Sequence, residues 1–233
     1  AGGAASEPAK HPPAWRAIAT ASLPLFGACL AEPTLTLIDT ACVGRFGTAR
    51  AAGLAALSVN AACFDLISNV LATLCTASTN VIGAAAPKGP AAARRATLVS
   101  VFIGASIGTA VSVALICASG PLVRSVFKLG PAAGVAGRAL AYMRIRALGV
   151  PVVCVNYVLY GAVLARGDTS VAAPAVAASA LCNICLDLLL VGRLGWSTAG
   201  AAVATVVSTG VACAVVLRAV LGVLRDEAAA GEA

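Results

Sequence analysis

Six long apolar blocks constrain this chain more than any motif does. Each is at least as long as the roughly 18–20 apolar residues that a helix needs to cross a bilayer. Only 11% of the 233 residues are charged, whereas about a quarter of an average soluble sequence is. The sequence therefore predicts an all-α integral membrane protein, with a six-helix transmembrane bundle over 18–224, a polar segment 1–17 and a polar tail 225–233. The predicted spans are 18–43, 54–84, 97–118, 139–164, 170–191 and 199–224.

The net charge of +7 needs no nucleic acid to explain it. Lys and Arg fall mostly between the blocks, as expected for loops that face lipid headgroups. No basic run carries interleaved aromatics, so we expect the lipid bilayer and not nucleic acid as partner. The cations divide evenly between the two faces and give no orientation. The nine cysteines lie inside the blocks as small apolar residues, and Cys182-Asn-Ile-Cys185 lacks the further ligands of a metal site.

The same sequence motif, D-x-x-x-V-G-R-x-G, occurs near the ends of two apolar blocks. It begins at Asp39 in the first block and at Asp187 in the fifth. Helices one and five run the same way across the bilayer, and each aspartate precedes an arginine, Arg45 or Arg193, by six residues, about 9 Å along a helix. We therefore expect the two carboxyl groups at similar depth within one bundle.

Other polar residues follow the same helices. Glu32 and Thr36 form a stripe with Asp39, and Asn183 lies one turn before Asp187. Polarity inside the blocks also marks candidates for lining a cavity, which are Thr36, Asn60, Asp65, Asn69 and Asn156. Asp65 either joins the acidic cluster or is an isolated packing residue, and both interpretations stay open. Pro33 and Pro151 are predicted to bend helices one and four.

An ionised carboxylate is costly inside a bilayer, and two close together repel each other. Such a pair favours binding of a proton or a monovalent cation. Simpler interpretations also exist: Asp39 could reach the interface and pair with Arg45, and Glu32 could bond backbone groups freed by Pro33. Asp168 is interpreted as a turn residue in a loop.

Several motifs together resemble one known family. The stretch from Leu37 through Gly47, followed by Gly53-Leu-Ala-Ala56, resembles the first-helix signature of the multidrug and toxic compound extrusion (MATE) transporters. The later blocks are similar to helices four to six of that family. They contain Tyr142-x-Arg144, Gly149-x-Pro151, Arg166-Gly-Asp-Thr169, Asn183-x-x-x-Asp187 and Gly200-Ala-Ala-Val-Ala-Thr205. Glu32-Pro33 is similar to the plant and algal plastid-type branch.

The resemblance implies a secondary active antiporter that exports small organic substrates against H⁺ or Na⁺, without an enzymatic cofactor. By matching position, the cation site falls on Asp39, Asn183, Asp187 and Thr205, with Glu32 as a further candidate. The family has two six-helix halves, and this chain matches the first. A second six-helix lobe, either its own C-terminal half or another copy, is therefore expected as partner. A plastid envelope and the plasma membrane both remain open as locations.

Two other functions compete with transport. A structural or regulatory half-protein that does not transport would also show these motifs. An intramembrane aspartyl protease needs two membrane aspartates as well, but we would expect Gly-x-Gly-Asp at one of them. Neither Asp187 nor Asp168 follows that sequence.

Overall fold

The computed structural model describes residues 34–47, 50–126 and 134–231, and every element among them is helical. Residues 34–46 form the described part of α1. The remaining helices are α2 (Arg50–Ala85), α3 (Pro90–Pro121), α4 (Val135–Leu164), α5 (Ala172–Asp187) and α6 (Ser197–Gly231). A short 3₁₀ turn, Ala86–Lys88, joins α2 to α3.

The helix boundaries follow the apolar blocks, with extensions at several ends. Five helices of the described part are long and apolar enough to cross a membrane, which confirms the membrane-protein class. Most of the first predicted span lies outside the described residues. The last helix continues to Gly231, past the predicted end at 224, so most of the polar tail adds turns to α6. At 36 residues, α2 is about 54 Å long and exceeds the ~30 Å hydrocarbon core.

Helix α4 is the centre of the bundle and packs against α2, α3 and α6. Glycines allow its close approach to two neighbours. A Cβ on Gly108 of α3 would lie 2.6 Å from the Cα of Pro151, and one on Gly161 would lie 2.5 Å from the carbonyl oxygen of Cys75 in α2. Real side chains do not tolerate such distances, so these positions fix the α3–α4 and α2–α4 spacing. The chain remains helical through Pro151.

The apolar core consists of two clusters, one toward each end of the bundle. The cluster around the start of α4 includes Val43, Phe64 and Met143. The cluster around the end of α4 includes Ile82, Leu159 and Val216. Each therefore packs a different level of the same helices.

A polar clamp closes the second of these ends. Arg166 follows α4, and its Nε and Nη2 donate to the two carboxylate oxygens of Glu227 in α6, at 3.0 and 3.1 Å. Nη2 also donates to Thr97 Oγ1 of α3 at 3.2 Å, and Nη1 donates to the Ala162 carbonyl at 2.8 Å. The Arg166–Glu227 clamp thus ties three helices together at one membrane face.

The other end contains an irregular turn. Directly after α5, Leu188–Arg193 is a π-helical turn, and the Leu194 amide donates to Leu189 O at 2.9 Å. The matching phrase after Asp39 remains α-helical through Phe46. The repeated sequence therefore adopts two different backbones. π-Helical turns often occur beside functional sites.

Candidate functional site

Asp39 lies in the interior of the bundle, with its side chain 5% exposed. Its two oxygens accept hydrogen bonds from two other helices. Asn183 Nδ2 of α5 lies 3.4 Å from Oδ1, and Thr205 Oγ1 of α6 lies 3.2 Å from Oδ2. Asp39 is therefore held at the junction of α1, α5 and α6, instead of pairing with Arg45 at the interface.

Asp187 is the last residue of α5 and is fully buried. Neither of its carboxyl oxygens accepts a hydrogen bond from any group in the described part of the chain. Asn183, one helical turn earlier on α5, reaches Asp39 Oδ1 with its Nδ2 at 3.4 Å, so this part of α5 faces Asp39. A buried carboxyl group without donors has a strong need for a proton or a cation.

The Thr205 hydroxyl has two acceptors and only one proton. Besides Asp39 Oδ2, the Ala201 carbonyl lies 2.8 Å from Thr205 Oγ1. When the hydroxyl donates to Ala201, a protonated Asp39 can donate to it, and an ionised Asp39 can accept from it instead. The threonine thus fits either protonation state without moving.

The remaining candidates from the sequence are dispersed over the lobe. Thr36 is half-buried on α1, and its carbonyl accepts from Thr40. Asn60 is fully buried and donates to Ala56 O at 2.8 Å and to Ala139 O at 3.2 Å, so it joins α2 to α4. Asn156 is half-buried on α4, with an Oδ1 that has no partner in the described residues.

Asp65 and Asn69 lie on the exposed side of α2. The Asn69 side chain donates to the Asp65 carbonyl at 2.9 Å. Neither residue enters the buried cluster around Asp39. Of the two interpretations of Asp65, the structure therefore favours an isolated polar residue over a member of the acidic cluster. Glu32 and Pro33 lie outside the described residues.

The structure adds two groups that the sequence did not single out. Tyr142 of α4 is 4% exposed, and its ring meets that of Phe64 edge to face, with 6.4 Å between centroids. Arg146, one turn further along α4, has its guanidinium carbon 5.0 Å from the centroid of the same Phe64 ring. Tyr142 was noticed only as part of a family motif. The arginine inside an apolar block was the signal that could have found Arg146.

No group of three or more His, Cys, Asp or Glu side chains within the described ranges could hold a metal ion. The eight described cysteines are free thiols. The site is therefore a carboxylate pair with amide and hydroxyl neighbours. Oxygen groups of this kind suit a proton or a hard monovalent cation.

Comparison with known proteins identifies the family. The MatE family model matches residues 24–189. The chain belongs to the MatE family. This family consists of membrane transporters and not of enzymes, and the match confirms the resemblance inferred from the sequence.

Two curated relatives of this MatE chain come from Arabidopsis thaliana. Protein DETOXIFICATION 44, chloroplastic, is 31% identical over 202 residues, which cover 82% of this chain and 38% of that protein. Protein DETOXIFICATION 47, chloroplastic, is 30% identical over 186 residues, covering 79% of this chain and 34% of that one. The MatE chain thus spans little more than a third of the length of these relatives.

Solved structures confirm the fold class. A multidrug resistance MATE family transporter of the MOP superfamily in its inward-facing conformation is 25% identical, with a TM-score of 0.71 over 79% of this chain and 41% of that one. A MATE crystal structure in the bent conformation is 24% identical, with a TM-score of 0.75 over 86% of this chain and 44% of the other. The described helices therefore correspond to part of a MATE fold.

Proposed function

We propose that this chain is one lobe of a secondary antiporter that exports small organic substrates against H⁺ or Na⁺ through the Asp39–Asp187 pair. The single observation that carries the proposal is Asp187, fully buried with both oxygens lacking a donor, one turn from the Asn183 that bonds to Asp39. Membership of a transporter family supports a role in transport. A bound proton or cation would supply the missing partner.

The two carboxyl groups have different surroundings and suit different roles. Asp39 receives amide and hydroxyl donors from Asn183 and Thr205, which stabilise an ionised carboxylate. Asp187 has no such donors, so it is the member that holds the proton or lies nearer the cation. Loss of the bound ion leaves two negative charges between α1, α5 and α6. Their repulsion then provides the free energy that separates these helices.

Transport by the reconstituted full chain tests the proposal, both alone and with a second lobe. Ethidium serves as a fluorescent organic cation, and its efflux is driven by a ΔpH or by a Na⁺ gradient. We expect Asp39→Asn and Asp187→Asn each to reduce gradient-driven efflux at least about tenfold, because neither amide can exchange a proton. Asp65→Asn is the matched control, since it neutralises an exposed carboxylate on α2. Efflux that is unchanged in both pair variants would refute the role of the pair.

A second lobe is part of the proposal. Polar side chains form one stripe on the exposed face of α2 at Ser58, Asp65, Asn69 and Thr73. Such a stripe is unfavourable against lipid tails, so it is better placed facing another lobe or a water-filled cleft. Crosslinking of a Ser58→Cys or Thr73→Cys variant in lipid should capture a second lobe. A strict monomer that binds the ion without transporting would instead favour the non-transporting alternative.

We also propose a chloroplast membrane as the location. The support is that both curated relatives bear chloroplastic names. A fluorescent fusion of the complete gene product should co-localise with chlorophyll in plant cells. Signal at the cell surface alone would contradict this assignment.

A further inference from the structure

Two arginines lie inside the membrane-spanning part of α4, and of these Arg146 is half-buried whereas Arg144 is exposed. Arg146 is eleven residues after Val135, the first residue of α4, which places it about 17 Å along the helix. Because successive helices alternate in direction, α4 begins at the face where α1 and α5 end. Arg146 lies about 12 Å inward of Arg138, and Asp39 about 9 Å inward of Arg45. Helical rise therefore places Arg146 and Asp39 at comparable distances inward of the arginines near the start of α4 and the end of α1.

The guanidinium of Arg146 has no close ion pair or hydrogen bond with any described residue. It rests on the Phe64 ring and lines a crevice between α2, α4 and α6. The crevice has a volume of about 20 Å³, which is room for one water molecule. Ser68 and Thr209 also line it. A charge this deep needs a nearby opposite charge, since desolvation costs several kcal/mol or more.

The opposite charge comes from the carboxylate pair. Arg146 shares its crevice with Thr209 of α6, whose hydroxyl donates to the Thr205 carbonyl at 2.8 Å, and the Thr205 hydroxyl lies 3.2 Å from Asp39 Oδ2. The other groups near the pair are Cys42 of α1 and the neutral Asn183 and Thr205. Asp65 of α2 carries the next nearest acidic group along that helix, and its side chain is exposed. Arg146 is thus the one cation that faces this cluster in the described part of the chain.

We infer that Arg146 is a fixed counter-charge that sets the capacity of the pair at one proton or monovalent cation per transport cycle. This inference rests on the proposed function. Two ionised carboxylates and one guanidinium carry a net charge of minus one, and one bound H⁺ or Na⁺ makes the cluster neutral. A second bound cation would leave a net positive charge in the membrane interior, which is as costly as the negative one. Without Arg146, neutrality would require two bound cations.

Infrared difference spectroscopy tests the inference on the full chain in lipid. The C=O stretch of protonated carboxyl groups is followed as the pH is lowered from alkaline to mildly acidic, without Na⁺. In the wild type we expect a band of one carboxyl group, altered by Asp39→Asn and by Asp187→Asn. In Arg146→Met the band should grow about twofold, because the second carboxylate must also be neutralised. Arg146→Lys keeps the charge and should give the wild-type amplitude.

Arg144→Met is the matched control for this experiment. Arg144 lies two residues earlier on the same helix, but it is exposed and bonded to Ser119 Oγ at 3.4 Å. Its removal should leave the carboxyl band unchanged. If Arg146→Met does not give monodisperse protein, Arg146→Gln replaces it under the same criterion.

The outcomes separate this inference from the proposed function. A wild-type amplitude in the charge-removing Arg146 variant would overturn the counter-charge and leave the pair intact. A twofold band that appears equally in Arg144→Met would also overturn it. Absence of any carboxyl band that depends on Asp39 and Asp187 would instead refute the ion site on which both proposals rest.

Discussion

The two ends of the lobe differ in whether their carboxyl groups are hydrogen-bonded. At the Arg166–Glu227 clamp, both carboxylate oxygens of Glu227 accept hydrogen bonds, and the guanidinium also reaches Thr97 and Ala162. At the other end, both oxygens of Asp187 lack a donor. A fully bonded ion pair has no need of a further ligand, whereas an unsatisfied carboxyl group does. The contrast supports a structural role for the clamp and the proposed ion exchange at the other end, called here the ion-exchange end.

The largest expected effect is a loss of activity without a loss of stability, after a substitution at the ion-exchange end. Asp187→Asn should abolish gradient-driven efflux while leaving the free energy of unfolding unchanged or higher, because the variant no longer buries a carboxyl group without donors. Efflux in proteoliposomes and thermal unfolding in detergent measure the two quantities. A strong loss of stability in Asp187→Asn would remove the contrast with the clamp.

Breaking the clamp should have the reverse result. Arg166→Met leaves Glu227 without its partner and should lower the free energy of unfolding by about 1–3 kcal/mol, less than a fully buried pair because both side chains are partly exposed. The carboxyl band of Asp39 and Asp187 should not change. Arg218→Met, an exposed arginine on α6, is the control and should have little effect. A changed carboxyl band would mean that the two ends are coupled.

A single hydrogen bond of the clamp has a smaller effect. Thr97 is fully buried, and its hydroxyl bonds to both Arg166 and Ala93 O. Thr97→Val keeps the shape and should cost about 0.5–1.5 kcal/mol of unfolding free energy. Thr109→Val, which changes an exposed threonine of the same helix, should cost less. Equal losses would show that Thr97 acts only through helix propensity.

The smallest effect concerns the turn that precedes α5. Asp168 Oδ1 accepts from the amide and the hydroxyl of Ser170 at 2.9 and 2.6 Å, and these hydrogen bonds lower the pKa of the carboxyl group below its ordinary 3.8. The stabilisation is complete above that ordinary pKa and is lost as the pH falls through the lowered one. Asp168→Asn should therefore cost at most about 0.5 kcal/mol near neutral pH. Wild type and variant should converge in unfolding titrations only once the pH falls below the lowered pKa of Asp168.

Much of the fold could be predicted because the bilayer simplifies the problem. Long apolar blocks can only become helices in lipid, so block lengths alone located five of the described helices. A similar depth for Asp39 and Asp187 was predicted from helical rise and a repeated motif. The contact of Asn183 with Asp39 also requires α1 and α5 to turn these faces toward each other, which sequence spacing does not determine.

The features that were missed depend on rotation and local backbone. Arg146 and Tyr142 lie one turn apart on the same face of α4. In a block that is apolar on all sides, the hydrophobic periodicity does not show which face of the helix turns toward the bundle interior. Asn60 was predicted to line a cavity, and no sequence signal indicated that its amide nitrogen also bridges α2 and α4. Thr205 was located by family resemblance alone, since a threonine in an apolar helix is unremarkable chemically.

The π-helical turn at Leu188–Arg193 also has an evolutionary consequence. A π-helical turn holds one residue more than an α-helical turn. Deletion of one codon there would therefore restore α-helical geometry without displacing the flanking segments. Homologous genes that differ at this place should therefore do so by a single-residue gap. An alignment forced to close that gap would misassign each position between Asp187 and α6 by one residue.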